Sequence, residues 1–418
     1  MKARRDIALL PWLILFLWSS LQAKELPIAK PEEVGMSSDK LAKVDDIMLD
    51  FVTRKKLAGA IVAVARHGKI VHFGTYGKMV MEGNKEMTQD AIFRIYSMSK
   101  AITTAAALML LEEGKFSLND PVSKYIPEFK KLTVWKDGEA SPARKTMSVK
   151  QLMLHTSGLS YGFVGNGPVE KEYKKRKPLD HRGTLQSMTK TLSEIPLAFE
   201  PGSKWQYSVS IDVLGRLIEI WSGKSFDAFL NERVFQPLDM KDTGFFVPKN
   251  KTGRFTANYG PAGPGKLRTI DDPAKSRYLQ SPSLASGGGG LVSTTRDYLR
   301  FLQMILNDGE LHGKRLLEKK TVRLMTSNQL PKKLMPIQIG QPPRTGVGFG
   351  LGFNVRVAMS EWDPGGKIGE FGWGGAASTH YWASPKDGLI IVTMEQYMPY
   401  TFNTEWAVKK LIYDAIEK

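Results

Sequence analysis

A serine and a lysine with the spacing of a nucleophile and its base lie in the segment 96–100 (YSMSK), as Ser97 and Lys100. An Ala/Leu/Met-rich run over 101–113 predicts that a helix begins here. Helical spacing of three places both side chains on one face, within hydrogen-bond reach of each other. Because a serine hydroxyl is a weak nucleophile at neutral pH, it needs a neighbouring base. The pair predicts covalent catalysis near a helix N-terminus, which favours developing negative charge.

The Ser-x-x-Lys spacing alone is weak evidence, because the chain contains it more than once. Ser37 and Lys40 have the same spacing beside a predicted helix start, where a serine is typical of an N-cap. We interpret that copy as structural. The same interpretation, a helix cap followed by an exposed lysine, is the alternative for Ser97.

Further motifs follow Ser97 in a defined order: 155–159 (HTSGL), 201–209 (PGSKWQYSV), 286–291 (SGGGGL) and 373–375 (WGG). The ordered set resembles the serine β-lactamase and penicillin-binding-protein superfamily, and specifically the family VIII carboxylesterases, which are similar to class C β-lactamases. The resemblance runs from about residue 31 to the C-terminus. It implies an α+β, β-lactamase-like fold: an antiparallel sheet flanked by N- and C-terminal helices, with a mostly helical inserted domain.

The resemblance also implies roles for three side chains. Ser97 becomes the acylated nucleophile, Lys100 its amine partner, and Tyr207 the second base, at the first position of the superfamily's Tyr-x-Asn element. A phenol beside a lysine is chemically sensible, because an ammonium within a few ångströms stabilises phenolate. Taken alone, Tyr207 would be interpreted as a core or rim aromatic residue. The backbone amides of Ser97 and Ala376 would form the oxyanion hole, and no cofactor or metal is implied.

The chain departs from a β-lactamase at two positions that bear on the substrate. Val209 replaces the Asn of Tyr-x-Asn, and Trp373, followed by Gly374 and Gly375, replaces the Lys of Lys-Thr-Gly. The resemblance makes these four residues substrate-binding, with Trp373 as the wall of an apolar pocket; a tight bulge in a Gly-rich strand is the alternative for 373–375. Loss of the polar groups that hold a β-lactam favours a neutral ester, with weak β-lactam cleavage remaining.

His155 raises the alternative of a Ser-His-Asp triad. No serine of the chain lies in a Gly-x-Ser-x-Gly elbow, and in the resembled family the HTSGL element is a structural turn. We therefore reject the Ser-His-Asp triad. The four glycines of 286–291 predict close approach of backbone to the site or to another element. His380 is predicted to lie at the rim.

The elements that would position these residues follow from hydrophobic periodicity. A helix capped by Ser37 or Ser38 precedes two strands, 59–64 and 70–76, joined by a hairpin turn. The middle, 100–330, is predicted as helix and loop, with helices at 213–221 and 296–307 and a solvated basic loop at 171–182 (KEYKKRKPLDHR). C-terminal strands are predicted at 348–357, 379–383 and 389–396, before a helix at 404–416.

The order of the predicted elements favours a division of the chain into three parts. Residues 1–23 are interpreted as an export signal, with a basic start, an apolar stretch and a small-residue cleavage site, which predicts a periplasmic or secreted protein. An uncleaved membrane anchor is the alternative. Segments 24–95 and 340–418 form one α/β domain, and 96–339 forms a mainly helical domain that carries the Ser-x-x-Lys and Tyr motifs.

Composition narrows the classes of chemistry and partner. With 418 residues, no Cys and six His, the chain offers little for a metal centre and nothing for a disulfide or a cysteine nucleophile. Removing residues 1–23 lowers the formal charge from +17 to about +15, which favours weak attraction to anionic envelope surfaces. No basic motif is interleaved with aromatic residues, so nucleic-acid binding is not predicted.

The sequence therefore predicts a serine carboxylesterase that hydrolyses small-molecule esters through an acyl-enzyme on Ser97. Two alternatives stay open. A β-lactamase or D-amino-acid peptidase would use the same residues on β-lactams or cell-wall peptides. A non-catalytic envelope binding protein would keep the fold without the reaction.

Overall fold

The computed structural model describes residues 25–417, and within them ten α-helices follow one another along the chain. Their bounds are α1 Ser38–Thr53, α2 Ser99–Glu112, α3 Val149–Met153, α4 Pro168–Arg176, α5 Leu185–Ser193, α6 Ser210–Ser222, α7 Phe226–Leu230, α8 Thr295–Leu306, α9 Lys319–Thr326 and α10 Asn403–Asp414. A short 3₁₀ helix, Tyr96–Met98, leads directly into α2.

Sixteen β-strands lie within the same residues, several of them only two residues long. Their bounds are β1 Gly59–Arg66, β2 Lys69–Val80, β3 Lys85–Glu86, β4 Phe93–Arg94, β5 Thr133–Lys136, β6 Glu139–Pro142, β7 Asn258–Pro261, β8 Leu267–Asp271, β9 Val292–Ser293, β10 Glu310–Leu311, β11 Lys314–Arg315, β12 Val347–Phe349, β13 Asn354–Arg356, β14 Phe371–Gly374, β15 His380–Ser384 and β16 Leu389–Glu395.

An eight-stranded antiparallel sheet forms the centre of the fold, in the order β12-β13-β14-β15-β16-β1-β2-β3. The two ends of the chain meet inside it, because β1 pairs with β16 in a register that places Ala60 opposite Glu395. The hairpin predicted between 59–64 and 70–76 is confirmed as the β1–β2 pair. The sheet therefore places β14, which carries the WGG motif, three strands from the N-terminal hairpin.

Both faces of this sheet are covered, which explains the unbroken apolar run of β1. Alternate residues of a strand point to opposite faces. Ile61, Ala63 and Ala65 belong to the main core with α2, α6 and α8, whereas Val62 and Val64 pack with α1 and α10. A strand buried on both sides needs apolar residues at every position, so its sequence does not alternate.

Three expectations about individual elements are wrong. The segment 348–357 forms two strands, β12 and β13, because 350–353 reverses the chain and Gly352 adopts a φ of +92°. The first half of 171–182 belongs to helix α4, which buries Val169 and Tyr173 four residues apart and exposes its lysines. The middle region also contains the hairpins β5–β6 and β7–β8.

The predicted helices at the N-terminus, the C-terminus, 213–221 and 296–307 are confirmed as α1, α10, α6 and α8. Ser37 caps α1 by accepting a hydrogen bond from the Lys40 amide, 3.3 Å away. The proposed export signal, 1–23, lies outside the described residues, and the domain division stays a prediction. Between residues 25 and 417 there is no helix with the length and apolar character needed to cross a bilayer.

Candidate active site

Ser97 lies in a tight turn between a strand and a helix. Strand β4 pairs with β9 and ends at Arg94. The 3₁₀ helix that follows places Ser97 directly before the start of α2. Tyr96 adopts a φ of +40°, a backbone conformation that is unusual for a residue with a side chain. Asn258 donates a hydrogen bond to Tyr96 Oη at 3.0 Å, which fixes this residue from outside the turn.

Lys100 lies one turn further along and is almost completely buried, with 2% of its surface exposed. Its Nζ donates to Ser97 Oγ at 3.2 Å and to the carbonyl oxygen of Gly288 at 2.5 Å. The ammonium also lies 4.5 Å from the ring centroid of Tyr207 and 5.4 Å from that of Tyr161. The lysine is therefore held by a carbonyl and two aromatic rings, and it also donates to the serine.

Tyr207 approaches the serine from a different part of the chain, just before α6. Its Oη donates to Ser97 Oγ at 2.5 Å. Ser97 Oγ thus lies within hydrogen-bond distance of both a buried ammonium and a phenol. The structure brings together the three side chains on which the sequence-based hypothesis depends, although 110 residues separate Ser97 from Tyr207.

Asp212 is part of this centre, and sequence reasoning missed it. Its carboxylate is fully buried and accepts hydrogen bonds from Ser286 Oγ at 2.5 Å, from the Gly288 amide at 3.0 Å and from Tyr161 Oη at 3.3 Å. Burial raises the pKa of Asp212, and the positive charge of Lys100 opposes that rise. No local motif marks this residue, because its partners come from two distant segments.

The glycines of 286–291 bring backbone against this carboxylate and the lysine, as their composition predicts. A Cβ added to Gly288 would lie 2.3 Å from Asp212 Oδ2, and one added to Gly287 would lie 2.8 Å from the carbonyl oxygen of Ile211. Only glycine allows such contacts. This close approach lets the Gly288 carbonyl reach Lys100.

The resemblance assigns the oxyanion hole to the backbone amides of Ser97 and Ala376. Ala376 and Ser97 line the same cavity, and within residues 25–417 neither amide donates a hydrogen bond to protein. Gly375 fixes the neighbouring turn, since its amide donates to the Thr379 carbonyl at 2.7 Å and a Cβ there would lie 2.4 Å from the Ile95 carbonyl oxygen. Free amides in this position are suited to a carbonyl oxygen that gains negative charge.

A cavity of about 590 Å³ opens in front of Ser97. Its apolar wall is largely aromatic: Tyr96, Tyr161, Phe163, Phe245, Tyr278, Leu179 and Leu284. Phe163 is 70% exposed, so it lies at the mouth. The volume is that of a site for a small organic molecule.

The four residues that the resemblance assigns to substrate binding do not line this cavity. Trp373 is 6% exposed, with its ring 5.5 Å from that of Tyr207 and 5.4 Å from that of Phe349. Neither Trp373 nor Gly374 nor Gly375 lines the 590 Å³ cavity, and Val209 is buried beside a second cavity of about 450 Å³. Trp373 therefore packs against the Tyr207 ring outside the 590 Å³ cavity.

The two histidines singled out earlier are both buried. His155 Nδ1 lies 3.2 Å from Ser208 Oγ, and burial together with Lys100 lowers its pKa well below the usual value. The expectation that His380 lies at the rim is wrong. It is fully buried on an interior strand, 3.9 Å from Glu395 and 3.7 Å from Glu405, because α10 covers that face of the sheet.

Comparison with known proteins gives one family match. The family model described as Beta-lactamase matches residues 44–412. Protein Rv1367c of Mycobacterium tuberculosis is 35% identical over 353 residues, covering 82% of this chain and 86% of its own length. Esterase EstB of Burkholderia gladioli is 32% identical over 280 residues, which cover 63% of this chain and 69% of that protein.

Among solved structures, EstCE1, a hydrolase with promiscuous acyltransferase activity, superposes with a TM-score of 0.76. It is 25% identical, and the match covers 90% of this chain and 99% of that one. The predicted β-lactamase-like α+β fold is confirmed.

Proposed function

This chain belongs to the beta-lactamase family, and from that premise we propose that it is a serine hydrolase that cleaves carboxylic esters of small to medium acyl chain. The observation that carries the proposal is the pair of contacts to one oxygen: Lys100 Nζ at 3.2 Å and Tyr207 Oη at 2.5 Å from Ser97 Oγ. The relatives EstB and EstCE1, described as an esterase and a hydrolase, support ester chemistry in this family.

The reaction proceeds by double displacement. Ser97 Oγ attacks the ester carbonyl carbon, and its proton passes to the Tyr207 oxygen, which reacts as a phenolate beside the Lys100 ammonium. The carbonyl oxygen gains negative charge and is stabilised by the amides of Ser97 and Ala376. The C–O bond to the alcohol then breaks, and the same pair returns a proton to the leaving alkoxide.

Water completes the cycle by attacking the acyl carbon of the Ser97 ester. The Lys100 and Tyr207 pair now accepts a proton from water and returns one to the departing serine oxygen. An alcohol in place of water would receive the acyl group instead. The acyltransferase activity described for EstCE1 makes acceptor alcohols worth including in the assay.

The test uses a second Ser-x-x-Lys copy in the same chain as its control. Ser97→Ala is expected to abolish hydrolysis of p-nitrophenyl butyrate and the acylation of Ser97 seen by mass spectrometry. Ser37→Ala removes the hydroxyl that caps α1, so it should cost about 1 kcal/mol of stability and leave turnover unchanged.

Residual turnover of Ser97→Ala near the wild-type rate, with the protein folded by circular dichroism, would refute the assignment. Nitrocefin measured beside the ester separates the rival enzyme class. Faster turnover of nitrocefin than of the ester would favour a β-lactamase. Failure of a fluorophosphonate probe to label wild-type Ser97 would favour a non-catalytic binding protein.

A further inference from the structure

The cavity in front of Ser97 has cationic side chains and no acidic ones. Among the described residues that line it, Arg182, Arg277 and His181 are the side chains able to carry positive charge, and none is Asp or Glu. A cleft lined by one sign of charge raises the local concentration of oppositely charged ligand. A ligand anion would bind the cation that has no carboxylate partner within the protein.

Arg182 and His181 already have a carboxylate partner. Arg182 forms two hydrogen bonds to Asp180, from Nε at 3.0 Å and from Nη2 at 2.6 Å. His181 Nδ1 lies 3.6 Å from the same carboxylate. The Asp180 charge is therefore shared within this group, which leaves little net attraction for a further anion.

Arg277 has no such partner. Across residues 25–417, no carboxylate oxygen of Asp or Glu lies within 4.0 Å of a guanidinium nitrogen of Arg277, the distance that defines an ion pair. The acidic residue whose charge acts on Arg277 from a distance, Asp271, is bound elsewhere: Arg94 Nε donates to it at 2.6 Å and Ser276 Oγ at 3.0 Å. The Arg277 charge is thus available to a ligand.

The guanidinium is also held in relation to the nucleophile. Its central carbon lies 5.2 Å from the ring centroid of Tyr278, a buried residue. Tyr278 in turn makes an edge-to-face contact with Tyr96, the residue before Ser97, with ring centroids 6.5 Å apart. Stacking on an aromatic ring orients an arginine and leaves the edge of its fork free to donate.

We propose that the ester taken by this site carries an acidic group, a carboxylate several bonds from the scissile carbonyl, and that Arg277 binds it. This inference rests on the proposed function. The planar guanidinium can donate two parallel, charge-assisted hydrogen bonds to a carboxylate, which are stronger than those it can donate to a neutral ester. The aromatic residues that line the same cavity as Ser97 and Arg277 accommodate the apolar chain that joins the two groups.

The experiment compares two esters of matched length, p-nitrophenyl hydrogen adipate and methyl p-nitrophenyl adipate, which differ in one negative charge. The measured quantity is the ratio of their kcat/KM values, acid over methyl ester. Arg277→Gln should lower this ratio about tenfold, the size of one charge-assisted hydrogen bond. Arg268→Gln removes the same charge from an exposed position outside the cavity and should leave the ratio unchanged.

The outcomes separate this inference from the function on which it rests. If wild type turns over both esters and Arg277→Gln leaves their ratio unchanged, the acidic-substrate proposal is overturned while ester hydrolysis stands. If Arg268→Gln lowers the ratio as much as Arg277→Gln, general electrostatics and not Arg277 is responsible, and the proposal fails. If wild type turns over neither ester, both proposals fail.

Discussion

At the scale of single residues, the site is a cluster of largely buried polar groups that fix one another through hydrogen bonds. Lys100 is bound by Gly288, Gly288 by Asp212, and Asp212 by Tyr161 and Ser286. A buried charge is tolerated only when hydrogen bonds or an opposite charge satisfy it. The carboxylate of Asp212 therefore compensates the ammonium and positions the loop that contacts it.

The phenol of Tyr207 gives a residue-scale prediction. Tyr207→Phe removes the hydroxyl 2.5 Å from Ser97 Oγ and leaves the ring packed against Trp373, so folding should be kept. Loss of a proton-transferring group should lower kcat/KM for p-nitrophenyl butyrate by about 10²- to 10⁴-fold. The matched control is Tyr76→Phe, another buried phenol, which donates to Asp45 on the opposite side of the sheet.

Steady-state kinetics of both variants decide the role of the phenol. Tyr76→Phe should retain wild-type kcat/KM and lose only stability. Equal kinetic losses in the two variants would show that the effect of Tyr207→Phe comes from altered packing and not from proton transfer.

At the scale of elements, the position of each candidate catalytic side chain depends on where a helix begins. Ser97 and Lys100 lie at the start of α2, whose residues 99–110 are all buried, and Tyr207 lies just before α6, which packs against α2. A helix buried on all sides cannot rotate without opening cavities in the core. Packing therefore fixes the distance between the phenol and the serine.

Helix α8 gives an element-scale prediction about pH. Asp297, in its first turn, accepts hydrogen bonds from the Asp242 amide at 2.8 Å and from Thr243 Oγ1 at 2.9 Å, but burial raises its pKa from 3.8 to about 6. A carboxyl whose pKa is higher in the folded state favours folding at low pH. That contribution is lost as pH rises from about 4 through 6.

A shift of about two units corresponds to roughly 3 kcal/mol. The free energy of unfolding of wild type should therefore fall by that amount, relative to Asp297→Asn, between pH 4 and pH 7. Urea unfolding at several pH values measures the difference. Parallel stability curves for the two proteins would contradict the raised pKa.

At the scale of the whole molecule, strands from the N-terminal and C-terminal parts of the chain pair with each other inside the sheet. Strand β1 pairs with β16, helix α1 packs against α10, and the Ser37 amide donates to the Ala415 carbonyl at 2.8 Å. Contacts between residues so far apart in sequence form late and at high entropic cost. The C-terminal helix is thus part of the framework under the active site.

Lys409 on α10 tests that framework. It is 2% exposed and contacts three carboxylates, Asp363 at 2.7 Å, Glu370 at 3.2 Å and Glu405 at 2.8 Å. Lys409→Met leaves Arg356 as the cation that contacts Asp363 and Glu370 and removes the contact to Glu405, so the unfolding free energy should fall by about 3–5 kcal/mol.

Its neighbour provides the control for that measurement. Lys410 is exposed and pairs with Asp414 at the surface, so Lys410→Met should change stability by less than about 1 kcal/mol. Denaturant unfolding of both variants measures the difference. Similar losses in the two would show that the buried network does not join α10 to the sheet.

The sequence by itself pointed to Ser97, Lys100 and Tyr207 as candidate catalytic residues and to the order of the main elements. The Ser-x-x-Lys spacing alone was ambiguous, since Ser37 and Lys40 share it, so the assignment of Ser97, Lys100 and Tyr207 depends on the resemblance carried by the ordered motifs. The α+β fold followed from the order of such motifs. These features are readable because each is encoded within a few neighbouring residues.

Only the tertiary structure decided what surrounds those residues. Asp212 joins the site through partners on two distant segments, and Arg277 lines the cavity through packing of Tyr278 against Tyr96. Trp373 lies behind Tyr207, and His380 is buried under α10, contrary to its expected place at the rim. Periodicity shows which face of an element is apolar, but the element that covers that face is set by long-range packing.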